Sequence, residues 1–87
     1  MRVRELEDEV FNKDEIRIVV RLPRIQDVGE YAYERKAADN TTITEWLEQR
    51  IMPLLGENRV RVEVVDGYGA IPHGNTRLSV VRGSYWR

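Results

Sequence analysis

Thr41-Thr42-Ile43-Thr44-Glu45-Trp46-Leu47-Glu48-Gln49-Arg50-Ile51-Met52-Pro53-Leu54-Leu55-Gly56 is the stretch that decides the fold. Thr42 followed three residues later by Glu45 is a capping box. The hydroxyl accepts an unpaired amide of the first turn, and the carboxylate reaches back to the amide of Thr42. Glu45 and Glu48 suit the positive end of a helix dipole. Apolar residues at 43, 46, 47, 51, 54 and 55 follow a helical period. Gly56 is placed as a left-handed cap. Pro53 lacks an amide donor and clashes one turn back, so the helix is expected to end or kink near Met52. The amphipathic pattern calls for a surface to pack against. No run of about 20 apolar residues is present, so that surface is not a lipid bilayer.

Upstream, residues 1–11 put Val3, Leu6 and Val10 on one side, which predicts a short N-terminal helix. Residues 15–22 alternate Ile16, Ile18, Val20 and Leu22 with Arg17, Val19 and Arg21, which predicts a strand ended by Pro23. A loop around Asp27 and Gly29 follows. Residues 30–37 alternate again, with Tyr31, Tyr33 and Arg35 on one face, and predict a second strand. Downstream, Glu57-Asn58 is a polar link. Residues 59–65 predict a third strand with Val60, Val62 and Val64 inward. A Gly-rich loop, 67–75, leads to a fourth predicted strand, 76–82, with Leu78 and Val80 inward. The expected fold is a single α+β domain spanning 1–87, in two layers: a four-stranded mixed sheet packed on one helix, ordered ββαββ.

This order resembles the ubiquitin-like β-grasp layout. The likeness lies in element order, over Ile16 to Val65, and includes the capped helix opening Thr42-Ile43-Thr44-Glu45. The resemblance implies a binding face on the sheet. The chain closes on Gly83-Ser84-Tyr85-Trp86-Arg87 without a di-glycine tail, which departs from conjugated modifiers of that class.

Eighty-seven residues, 41% hydrophobic, make one domain with a small core. There is no cysteine, so neither a disulfide framework nor a thiolate zinc site can form. That suits a reducing compartment, and the charged N-terminal residues lack the apolar core of a signal peptide. A cytoplasmic location is expected. The net charge of −1 does not draw the chain towards nucleic acid. Of 14 basic residues only Lys13 and Lys36 are lysine, which leaves twelve arginines. Arginine favours planar, bidentate pairing and aromatic stacking. The codon usage of a GC-rich genome produces the same bias.

Catalytic chemistry finds little support. His73, the single histidine, sits between Pro72 and Gly74 in the Gly-rich loop. Asp66 could orient it towards Thr76 or Ser79, but nothing in the spacing requires this, and a solvated turn residue is the simpler reading. One histidine among scattered acids has no metal-ligand spacing. Gly67-Tyr68-Gly69 lacks the third glycine and the following helix of a dinucleotide fingerprint. The chain is read as non-enzymatic, with no cofactor and no metal.

The outward set of the expected sheet is the candidate site. If the inward residues face the helix, then Arg17, Val19, Arg21, Arg61, Glu63, Val65, Arg77, Ser79 and Val81 face out. Arginine interleaved with valine suits contact with a protein. Exposed β-branched residues are also ordinary in strands. Tyr68 and His73 on the Gly-rich loop join the candidate surface, together with Ile71. The expected function is a small protein-binding module acting as adaptor, subunit or inhibitor. In size and mixed charge the chain is also similar to small phage-encoded host-blocking proteins. The alternative is nucleic-acid binding, with arginines on phosphates and Tyr31, Tyr33 and Trp86 stacking on bases. An edge strand bearing valines could pair with a second copy, giving a homodimer.

Overall fold

The computed structural model describes residues 1–22, 27–56 and 61–86. Pro23 as a strand terminator, the loop residues 24–26, the Glu57-Asn58 link, Arg59, Val60 and Arg87 lie outside the described residues. The chain runs from an N-terminal helix, Val3–Asp14, into strand β1, Arg17–Arg21. After an irregular segment, a central helix covers residues 43–55. Strand β2, Arg61–Val65, and a last helix, Leu78–Tyr85, complete the order.

The N-terminal helix buries Leu6, Val10 and Asp14, at the spacing of one helical face. It is longer than its apolar pattern implied, because its final turn ends on a buried acid. Glu15 stops it in the left-handed region, at φ 57°, with its amide on the Phe11 carbonyl at 2.9 Å. That turn lets Ile16 enter the core at once and sets β1 alongside the helix. The Glu7 carboxylate accepts the Val20 amide at 2.9 Å, tying helix to strand.

The capping box forms. Thr42 Oγ1 accepts the Glu45 amide at 3.3 Å, and Glu45 Oε1 accepts the Thr42 amide at 3.4 Å. Trp46, Ile51 and Leu55 enter the core, and Gly56 closes the helix at φ 60°. Pro53 neither ends nor breaks this helix. The turn ahead of it, Leu47–Ile51, widens to a π-helical turn, and Met52–Leu55 continues beyond. A π-turn accommodates the proline ring locally. Pro53 has no amide to give to the turn before it, and the Tyr33 hydroxyl donates to the Gln49 carbonyl in that turn at 3.3 Å.

The four-stranded sheet on one helix is not formed. Among the described residues there are two strands, antiparallel, and three helices in the order helix–strand–helix–strand–helix. Two segments account for the difference. Residues 30–37 form no strand and do not alternate in burial: Tyr31 and Ala37 are buried, residues 32–36 between them are exposed, and the Tyr31 ring lies 5.0 Å from that of Tyr33. Their backbone bonds to side chains instead of a ladder: the Ala37 amide goes to Asp14, the Ala37 carbonyl to Arg82 and the Arg35 carbonyl to Arg50. Residues 76–82 contain most of a helix turn set. Leu78, Val81 and Arg82 point inward at helical spacing, and Val80 is 62% exposed, the reverse of the strand reading.

A buried carboxylate ties these parts together. Asp14 is fully buried and accepts from the Tyr31 hydroxyl, the Ala37 amide (2.7 Å), Trp46 Nε1 (3.0 Å), Arg50 (3.4 Å) and Arg82 (3.5 Å). Arg82 also donates to the Asp14 and Ala37 carbonyls and to Asp39, at 2.7–2.8 Å. A buried charge is tolerated only when paired and hydrogen-bonded, and every buried side-chain polar atom of the described residues has a partner. Burial first, then the bond to Asp14, lifts the Tyr31 phenol well above its ordinary range, with Arg50 opposing. Burial alone would lower Arg50. Its bond to Tyr31 and the charge of Asp14 more than offset this, so it is raised.

The helix starts are locked to each other. The Leu78 amide donates to the Thr41 carbonyl and the Ile43 amide to the Thr76 carbonyl, both at 2.9 Å. First-turn amides lack partners within their own helix, so the exchange satisfies donors at both termini. No helix of the described residues is long and apolar enough to cross a membrane.

Candidate protein-binding surface

β1 and β2 pair in the register Arg17↔Val65, Val19↔Glu63 and Arg21↔Arg61. Directly opposed residues share a face. Ile18, Val20 and Val64 fill the core side, so Arg17, Val19, Arg21, Arg61, Glu63 and Val65 form the other face, all exposed or half-buried. Among the described residues no carboxylate lies within ion-pair distance of Arg17, Arg21 or Arg61.

Arg77 does not join this face. It precedes the last helix, and its guanidinium donates to the Asn40 carbonyl at 2.8 Å. Ser79 and Val81, expected outward on a fourth strand, belong to the last helix, and Val81 is buried.

One end of the sheet face opens into a groove. Arg17 lies over the Phe11 ring, 4.9 Å from its centroid. Phe11 meets the Tyr85 ring edge to face at 5.9 Å. The Tyr85 hydroxyl accepts the Arg17 amide at 3.0 Å and donates to the Val65 carbonyl, bridging two paired residues. Burial raises the Tyr85 phenol above its ordinary value, with the Arg17 amide opposing, so the hydroxyl keeps its proton. Phe11, Arg17, Val65, Asp66, Tyr85 and Trp86 line a groove of about 450 Å³, with Trp86 68% exposed at its rim. A second hollow, about 510 Å³, shares Phe11 and Arg17 and continues between the N-terminal helix and β1, past Arg4, Glu7 and Val19.

Beyond β2 the chain makes a closed turn. Asp66 Oδ1 accepts the amides of Tyr68 and Ala70, both at 2.9 Å, and the Asp66 amide donates to the Ala70 carbonyl. Gly69 takes φ 79°, which favours glycine. Gly67 is packed so closely that a Cβ would sit 1.9 Å from the Ser84 carbonyl oxygen. The turn therefore has a fixed place against the last helix. Tyr68, with Pro72 and Val80, borders a third hollow of about 290 Å³ that also touches Asp66. Ile71 is 61% exposed nearby in sequence.

His73 is exposed, and its Nδ1 accepts the Asn75 amide at 3.1 Å. The Asp66 carboxylate is occupied by backbone amides of its own turn. Among the described residues no three His, Cys, Asp or Glu side chains cluster as metal ligands would.

Phe11 and Val80 were missed as surface residues. Phe11 sits one position past Val10 on the N-terminal helix, at the edge of its apolar stripe. Reading 78–85 with a helical period turns Val80 outward.

No family model, no curated protein and no solved structure matches the chain, so the likeness to the ubiquitin-like layout is neither supported nor opposed by comparison.

Proposed function

We propose that this chain is a non-enzymatic protein-binding module, an adaptor, subunit or inhibitor. Its contact surface is the outward face of β1 and β2, the adjoining Phe11–Trp86 groove and the turn bearing Tyr68. The observation that carries the reading is the register of the two strands. It sets Arg17, Arg21 and Arg61 around Val19 and Val65, with no carboxylate of the described residues paired to any of the three arginines. Such a surface favours an acidic partner segment that carries an apolar or aromatic side chain for the groove. Trp and Arg are the side chains most enriched among residues that dominate interface energy.

The aromatics that nucleic-acid binding would need are largely engaged elsewhere. Tyr31 is buried on Asp14, and Tyr33 lies under the Arg50 guanidinium, 4.2 Å from its ring centroid. Trp86 remains exposed.

The test is capture of a partner from native lysate by the wild-type chain and by an Arg17→Ala, Arg61→Ala, Val65→Ala triple variant, with melting curves for both. Each truncated contact residue is expected to cost roughly 1 kcal/mol or more, so capture by the triple variant should fall by about a hundredfold. Equal capture by both proteins removes the face as the binding site. Binding to single-stranded or duplex oligonucleotides that fades steeply with salt would favour the nucleic-acid alternative.

A further inference from the structure

The outer edge of β2 has no partner strand among the described residues. The Val20 amide goes to Glu7, away from β2. In an antiparallel pair, opposed residues either both bond across the pair or both point away from it. Val20 is opposed to Val62. The Val62 amide and carbonyl therefore point away from β1, to the outer edge, and by alternation so do those of Val64. Among the described residues neither makes a backbone hydrogen bond on that side.

We infer that this edge pairs with β2 of a second copy of the chain, antiparallel and centred on Val62. The side-chain order selects the occupant and the register. With the two-fold axis at Val62, Arg61 of each copy stands opposite Glu63 of the other, on the outward face. Two cross-strand ion pairs form, and the half-buried Val62 side chains meet on the core side. Backbone parity also permits an axis at Glu63, but that sets two carboxylates opposite each other, which is unfavourable. The pairing joins two sheets into one of four strands, and continues the outward face across the axis. With the axis at Val62 the two strands overlap over Arg61, Val62 and Glu63, which buries less than the roughly 1,200 Å² of a standard stable interface, so the dimer is reversible and concentration-dependent.

Sedimentation of the full chain from micromolar to millimolar concentration tests this. The weight-average mass is expected to rise from 10.2 kDa towards twice that value. Amide exchange at Val62 should slow over the same range. Arg61→Glu alone, or Glu63→Arg alone, should weaken association by about tenfold or more, and the two together should restore it. Val62→Pro removes a donor that β1 does not use, so it should abolish the dimer while leaving the circular dichroism spectrum folded. A monomer at every concentration overturns the inference and leaves the edge to a strand of a different protein. A dimer indifferent to the charge exchange and to Val62→Pro overturns it equally.

Discussion

Arg82 and Asp14, 68 residues apart in the chain, share two contacts inside the protein: Nε of Arg82 on the Asp14 carbonyl at 2.8 Å and a guanidinium–carboxylate approach at 3.5 Å. The same arginine holds the Ala37 carbonyl and Asp39. One buried cation thus fixes the end of the N-terminal helix, the segment before the central helix and the last helix. Tyr85, three residues after Arg82, is thereby delivered to Arg17 and Val65 on the sheet.

Removing one partner should be costly. Arg82→Met leaves the Asp14 carboxylate buried with fewer donors, and a loss of about 3–5 kcal/mol is expected in urea denaturation. Asp14→Leu should cost a similar amount. The double variant should lose less than the sum, because the Arg82–Asp14 contact is lost in both single variants, while Arg50, Trp46 and Tyr31 lose Asp14 as acceptor whether or not Arg82 is present.

Two glycines should respond in opposite directions to alanine. Gly67→Ala places a methyl against the Ser84 backbone and should destabilise by about 2 kcal/mol or more. A Cβ at Gly83, inside the last helix, meets nothing within 4 Å. Gly83→Ala should therefore stabilise by about 0.5–1 kcal/mol. Melting temperatures of the two variants check both signs.

Alkaline pH should weaken the fold through the tyrosines. Tyr31 and Tyr85 are both raised above the ordinary value of 10.0, chiefly by burial. Above that value the unfolded chain loses protons that the folded protein keeps. Stability is therefore fully present below pH 10.0 and falls as pH rises through the folded values. Urea midpoints across this range should show the decline, and Tyr31→Phe and Tyr85→Phe should each flatten it.

Thr42→Ala removes the side-chain acceptor of the central helix and should cost about 1 kcal/mol. His73→Ala changes an exposed loop residue and should stay within about 0.5 kcal/mol of wild type. The contrast, measured by denaturation, separates a structural position from a surface one.

The central helix was legible because its cap and terminator are chemically specific: Thr42 with Glu45, then Gly56. β1 and β2 were legible from alternation, and that alternation also set Arg17, Val19, Arg21, Arg61 and Val65 on one face. The last helix was hidden because one of its inward positions is Arg82, which reads as polar, and because Val80-Val81 favours a strand reading. Its burial makes sense only with Asp14, which nothing local announces. Residues 30–37 alternate in sequence only: Tyr31 and Ala37 alone are buried, and the backbone of Arg35 and Ala37 bonds to side chains from far along the chain, so periodicity alone suggested a ladder. Pro53 was legible as a disturbance; that a π-turn and the Tyr33 hydroxyl would absorb it depended on tertiary contact.

The nuclear Overhauser spectrum of the chain in solution tests the arrangement of the binding face most directly. A strong Hα–Hα contact between Val20 and Val62, ring contacts between Phe11 and Tyr85, and sequential amide contacts of a helix through Leu78–Tyr85 are expected. Strand-type contacts through residues 78–82, or a Val20 paired with any residue other than Val62, would contradict that arrangement.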